Sequence, residues 1–162
     1  MIAGRVWKYG DHVNTDLIIP GRYLDDYDLK ILASHAMEDI DASFSKNVRR
    51  GDIIVGGRNF GCGSSREQAP LALKHAGVGA VVAESFARIF YRNAINVGLP
   101  VVVCPEASRS LTGGQEISID LEKGTILRTS PQLLIKFSPL PEFLLAILTE
   151  GGLVPHMRKR FS

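Results

Sequence analysis

Apolar and polar positions along this chain fall into two rhythms. In the first two thirds, three short stretches are apolar at nearly every position: Ile53-Ile54-Val55, the segment Gly77 to Glu84 around Val78, Val81 and Val82, and Val101-Val102-Val103-Cys104. A strand buried on both faces carries this signature, because neither side of its pleat meets water. The first two stretches lead to segments of helical character. Ala69 to Ala76 is rich in alanine and leucine, and Ser85, read as a cap, opens a helix to about Asn96 with Gly98 and Pro100 as stop signals. Strand, helix, strand, helix, strand in this order predicts a mostly parallel sheet built from right-handed crossovers.

The second rhythm is alternation. Residues 3 to 9 alternate as in a half-exposed strand, and Glu116 to Asp120 and Thr125 to Thr129 alternate around Glu122-Lys123-Gly124, which predicts a hairpin. These outer strands are expected to form a second sheet layer against the parallel one. His12 to Asp16 reads as a polar loop, and Leu17-Ile18-Ile19 as a short apolar segment stopped by Pro20. Gly21 to Asp28 is polar, charged and aromatic, predicting a mobile loop, and a helix follows from about Leu29 to Met37. Asp41 to Gly51 is a polar connector, and a last helix runs from Pro139 and Pro141 to about Glu150, before Gly151-Gly152. No repeat or linker interrupts the chain, so residues 1–162 are expected to form a single α/β domain.

Composition narrows the class. A chain of 162 residues with 45% hydrophobic and 22% charged residues is ordinary for a globular protein. A net charge of +2 is too small to argue for nucleic acid or an anionic membrane, and Arg158-Lys159-Arg160 reads as a solvated tail. No run approaches a membrane span and no signal-peptide pattern opens the chain, so a cytoplasmic protein is expected. Cys62 and Cys104, the only cysteines, are too few for a disulfide scaffold or for an iron–sulfur cluster held by this chain alone. His12, His35, His75 and His156 show no paired ligand spacing, so no metal is expected on this chain alone.

The candidate chemistry lies in Gly56-Gly57-Arg58-Asn59-Phe60-Gly61-Cys62-Gly63-Ser64-Ser65-Arg66-Glu67, between the first buried strand and its helix. Glycines allow close backbone approach, which suggests a loop shaped for a ligand, and a helix start suits an anion. Ser64-x-x-Glu67 and Ser65-x-x-Gln68 fit capping boxes, although Pro70 conflicts with a helix already running at Ser65. Arg66 offers a planar fork of donors matched to a carboxylate. Each group has a plain structural reading: serines before helices usually cap, Arg66 could pair with an acid, Asp16 could close a turn, and Arg88 and Arg92 could form a solvated stripe. The combination points to an anion site with a serine beside it. A rival reading takes Gly57-x-x-x-Gly61-x-Gly63, with Glu84 beyond it, as the fingerprint of a dinucleotide-binding module. No Gly-x-Ser-x-Gly elbow supports a serine hydrolase.

Three motifs carry a resemblance that spans nearly the whole chain: Asn14-Thr15-Asp16-Leu17-Ile18-Ile19-Pro20, Gly57 to Glu67, and Glu84 to Pro100, joined by Leu140-Pro141-Glu142-Phe143 and Gly151-Gly152-Leu153. In them the sequence resembles the small-subunit, or swivelling-domain, branch of the aconitase superfamily, above all the 3-isopropylmalate dehydratase small subunits, with homoaconitase small subunits next. The resemblance implies a three-layer β/β/α swivelling domain with a central mostly parallel sheet. It implies a hydro-lyase active only with a separate large subunit, which would hold a [4Fe-4S] cluster whose open iron acts as a Lewis acid. The substrate would be a small hydroxy-dicarboxylate, dehydrated to an alkene and rehydrated at the neighbouring carbon, as in leucine biosynthesis. By the same resemblance Ser64 matches the catalytic base, Ser65 and Arg66 match residues binding a substrate carboxylate beside Gly63, and Asp16 matches an aspartate that orders the site. Tyr23 and Leu24 fall in the loop over the variable end of the substrate. Asp25 and Asp26 follow them and depart from the family pattern: they argue against the third carboxylate of a homoaconitase substrate, they suit an isopropyl group only where Leu24 makes the contact and the acids face solvent, and they leave open methyl-substituted substrates of the citramalate or dimethylmalate type.

Overall fold

In the computed structural model of the chain, residues 1–25 and 28–161 are described. Among them seven strands form one sheet, in the order β4-β3-β2-β1-β5-β6-β7. The parallel part consists of β1 (Ile2–Lys8), β2 (Ile53–Val55), β3 (Ala80–Ala83) and β4 (Val101–Val103). The antiparallel part consists of β5 (Glu116–Asp120), β6 (Thr125–Thr129) and β7 (Gln132–Lys136). β1 joins the two, setting Val6 beside Ile53 in parallel and Ile2 beside Ile119 antiparallel.

Strict alternation along the parallel strands gives the sheet two apolar faces. Ile53, Val55, Ala80, Val82 and Val102 pack with Ile117, Ile119, Ile126 and Ile135 of the antiparallel part, so the sheet curves over onto itself. On the other face Ile54, Val81, Ala83 and Val101 pack with Leu32, Leu73, Phe90 and Ile95 from the helices. The result is the β/β/α layering expected, with one refinement. The second β layer continues from the first through β1, because one strand satisfies its backbone groups on both edges.

Eight helices are described. α4 (Gln68–Ala76) and α5 (Arg88–Val97) are the crossovers between parallel strands, α6 (Pro105–Ser110) leads to the antiparallel part, and α7 (Glu142–Thr149) follows it. Several expectations need correction. The polar loop at residues 12–16 and the apolar segment after it meet in one helical turn, α1 (Thr15–Ile18). The Asn14 side chain caps it by accepting the Leu17 N–H at 2.9 Å, and its last residue Ile18 and the following Ile19 are fully buried. α2 (Leu29–Ser34) stops earlier than predicted, and the connector before Gly51 contains α3 (Phe44–Asn47), where Phe44 is fully buried against Trp7. The strand β7 and the helix α8 (Leu153–Phe161) were not anticipated, so the basic tail is helical.

Asp52 fixes the register of β1 against the turn before β2. Its buried carboxylate accepts N–H groups from Arg5 at 3.1 Å, Trp7 Nε1 at 2.9 Å and Arg49 at 2.9 Å. Burial pushes the carboxyl toward protonation, but these donors outweigh it and hold Asp52 below the usual carboxylate range.

Candidate active site

A backbone ladder builds the site. The His12 N–H donates to the Arg58 carbonyl at 2.8 Å, the Gly61 N–H to Val13 at 2.7 Å, and the Thr15 N–H to Cys62 at 2.8 Å. Thr15 Oγ1 then donates to the Ser64 carbonyl at 3.1 Å. Residues 12–15 therefore run beside the glycine loop, and α1 delivers Asp16 to Arg66, fifty residues away in sequence, where the two form an ion pair. Gly21 closes against this pair: a Cβ there would lie 3.7 Å from Asp16 Oδ1 and 3.8 Å from Arg66 Nη1.

The glycines have a different purpose from the one their number suggests. A Cβ at Gly56 would strike the Phe60 ring, one at Gly57 the Asp11 carboxylate, and one at Gly61 the Phe90 ring. These three positions are filled from inside the protein, so they leave no cradle for a pyrophosphate. Gly63, with φ at +100°, is the least crowded of the four: a Cβ there would lie 3.3 Å from Thr15 Oγ1 and 3.7 Å from the Asn14 Cβ, a close fit rather than a collision. The dinucleotide fingerprint fails on this geometry.

The capping roles also need correction. α4 begins at Gln68 after Glu67, with no side-chain cap, and the Leu71 N–H makes its first turn bond to the Glu67 carbonyl at 3.2 Å. Pro70 thus sits in the first turn, where an N–H would have no helical partner in any case. Ser64 and Ser65 lie before the helix, exposed, with no described side chain engaging either hydroxyl. Ser85 does not cap α5. Its Oγ accepts the Asn59 N–H at 2.8 Å, and α5 starts at Arg88 after the uncapped Ala87.

The two segments face each other across a cleft of about 270 Å³. Thr15, Gly63, Ser64, Ser65 and Arg66 line one wall, and Ala87, Arg88, Ile89, Phe90 and Asn93 the other. Two guanidiniums, two free hydroxyls and the uncapped start of α5 give it chemistry suited to an anion with several oxygens. Arg88 and Asn93 escaped the sequence reading, since a stripe of arginines on a helix carries no mark of facing a cleft. Only the placement of α5 beside the loop reveals them.

The remaining candidates lie beside the cleft rather than in its lining. Leu24 is half-buried against the helical core and its carbonyl accepts Gln68 Nε2 at 3.3 Å. The Tyr23 ring stacks on His35 and its hydroxyl donates to Glu38 at 3.0 Å. Gly21 to Tyr23 form a 3₁₀ turn anchored by these contacts, where the sequence suggested a loose loop. Asp25 is exposed, while Asp26 lies outside the described residues.

Among the described residues, no group of three or more His, Cys, Asp or Glu side chains is placed to hold a metal ion. Cys62 is half-buried in the loop, whereas Cys104 is buried, and burial pushes its thiol pKa up. Two cysteines, one in the loop and one in the core, do not make the donor set of an iron–sulfur cluster. No helix of the described residues is long and apolar enough to cross a membrane.

Comparison with known proteins places this arrangement. A family described as the aconitase C-terminal domain matches residues 11–106. The chain is 57% identical over 159 residues to the methanogen homoaconitase small subunit of Methanothermobacter thermautotrophicus, covering 98% of this chain and 92% of that one. It is 52% identical over 159 residues to the 3-isopropylmalate dehydratase small subunit of Clostridium beijerinckii, covering 98% and 99%. The crystal structure of 3-isopropylmalate dehydratase from Methanocaldococcus jannaschii superposes with a TM-score of 0.93 at 50% identity, covering 98% of this chain and 94% of the other.

Proposed function

The chain belongs to the aconitase C-terminal domain family, in its dehydratase small-subunit branch, and on that premise we propose that it works with a large subunit to interconvert 2-isopropylmalate and 3-isopropylmalate by removing and re-adding water. The observation that carries the reading is the pair of free serine hydroxyls set between Arg66 and the start of α5 in one cleft. Because the chain has only two cysteines and no metal-binding group of side chains occurs among the described residues, a [4Fe-4S] cluster would belong to the large subunit, supplying Lewis-acid activation of the departing hydroxyl.

The work of this chain is then proton transfer and orientation. Ser64 removes the proton from the carbon next to a substrate carboxylate, and on rehydration returns a proton to the neighbouring carbon. A serine alkoxide is strongly basic, so it needs donors or positive charge nearby, which Arg66, Arg88 and the amides at the start of α5 supply. Ser65 and Arg66 hold a substrate carboxylate, Arg66 through two parallel N–H bonds. Asp16 keeps the guanidinium of Arg66 turned toward the serines, and Gly63 lets the backbone approach the substrate.

One observation favours a second reading, a tricarboxylate substrate, because the 57% identical relative is named a homoaconitase small subunit. The exposed Asp25 argues against it, since a carboxylate near the substrate's variable end would repel a third carboxylate. Co-expression with the large subunit under anaerobic conditions, followed by hydration assays on isopropylmaleate, citraconate and homoaconitate, separates the readings. Preference for isopropylmaleate is expected. Preference for homoaconitate would establish the second reading.

A further inference from the structure

The carboxylate of Glu38, in the turn after α2, gathers the segment that borders the cleft. Its Oε2 accepts Arg22 Nη2 at 2.6 Å and the Tyr23 hydroxyl at 3.0 Å, while its Oε1 meets His35 Nδ1 at 3.0 Å. The Tyr23 ring stacks on His35 with centroids 3.9 Å apart and planes 9° from parallel. Arg22 reaches Asp39 Oδ1 at 3.0 Å as well, with its guanidinium 4.9 Å over the Tyr23 ring. One carboxylate thus holds two consecutive residues of the 3₁₀ turn.

The anchor is itself fixed to the site. The fully buried Met37 donates its N–H to the Ile18 carbonyl at 2.8 Å, and Ile18 ends the same short helix that carries Asp16. Gly21, at the start of the clamped turn, lies against Asp16 and Arg66. An isolated surface ion pair contributes little, but this one combines a shared carboxylate, a ring stack and a rigid backbone support. The bond to His35, with those from Tyr23 and Arg22, outweighs burial and keeps Glu38 below the usual carboxylate range, so the clamp is charged at neutral pH.

We propose that Glu38 is a positioning residue, acting through Arg22 and Tyr23 to hold Gly21–Leu24 against the Asp16–Arg66 pair and so to set how the variable end of the substrate is accommodated. Its functional half rests on the dehydratase reading above. The clamp has a consequence for specificity: with Arg22 taken by Glu38 and Asp39, the turn presents no free guanidinium to an additional substrate carboxylate.

The test uses Glu38→Gln in the assembled enzyme, with kinetics on isopropylmaleate and amide hydrogen exchange of the segment Gly21–Leu24. The expected result is a rise in KM of about tenfold with kcat within about threefold, and faster exchange in that segment while α4 exchanges as before. Glu38→Asp, which keeps the charge, is expected to recover part of the loss. Unchanged KM overturns the functional half, and unchanged exchange overturns the clamp. Faster exchange in α4 as well would mean general loosening and would also overturn it. If the wild-type assembly hydrates none of the three alkenes, the dehydratase reading fails by itself, and the exchange measurement still decides the clamp.

Discussion

Replacing Gly61 by alanine tests what the glycines of the central loop are for. Gly61 has φ at +82°, and a Cβ built on it runs into the buried Phe90 side chain. The left-handed backbone costs an L-residue about 1–2 kcal/mol. Forcing a methyl into a packed contact costs about 1–3 kcal/mol more. The expected loss is therefore about 2–5 kcal/mol, or a fall in Tm of about 4–20 °C for a chain of this size. Gly63→Ala meets the same backbone strain at φ +100°, but its contacts, Thr15 Oγ1 at 3.3 Å and the Asn14 Cβ at 3.7 Å, are close without colliding, so about 1–2 kcal/mol is expected there. Urea and thermal unfolding of the isolated chain measure both. A loss below about 1 kcal/mol for Gly61→Ala, or an equal loss for Gly63→Ala, would refute the division into packing glycines and a cleft glycine.

Other expectations follow from the same geometry. Asp52→Asn should lower stability by about 2–3 kcal/mol near pH 7, because an amide keeps one acceptor where the carboxylate serves three N–H donors. Since the folded state holds Asp52 below its ordinary range, this stabilisation is present above the unfolded-state pKa near 4 and is lost as pH falls through the folded value. Denaturation series from neutral to acid pH should show wild type and variant converging, and a constant gap would contradict the account. Arg66→Lys should raise KM on the order of tenfold with kcat nearly kept, because a point charge loses the two-bond geometry with the substrate carboxylate. Steady-state kinetics on the assembled enzyme would show it, and an unchanged KM would place Arg66 outside the substrate site.

The parallel core was readable because Ile53-Ile54-Val55 and its counterparts are apolar on both faces, a pattern that few other environments tolerate. α1 was not, since four residues are too few to display a helical period. It forms because Asn14 caps it and the core takes Ile18 and Ile19. α8 has no buried residue to mark an inner face, and its docking on α5 and α7 is a tertiary fact. In the cleft, the serines and Arg66 stood out as chemistry, while Arg88 and Asn93 became part of it only when the second crossover set α5 beside the loop. The capping-box spacing misled because it is a local rule, and Pro70 decided where α4 begins. Four glycines looked like a ligand cradle, yet three of them make room for Phe60, Asp11 and Phe90.

The central claim is that this chain supplies the base of a dehydratase, and Ser64→Ala tests it most directly. The variant and wild type would each be assembled anaerobically with the large subunit, checked for equal folding and equal cluster absorbance, and assayed for hydration of isopropylmaleate. The account predicts a normally folded complex whose turnover falls by about 10²–10⁴-fold, the contribution expected of a positioned general base. Turnover near wild type in an intact complex would contradict it.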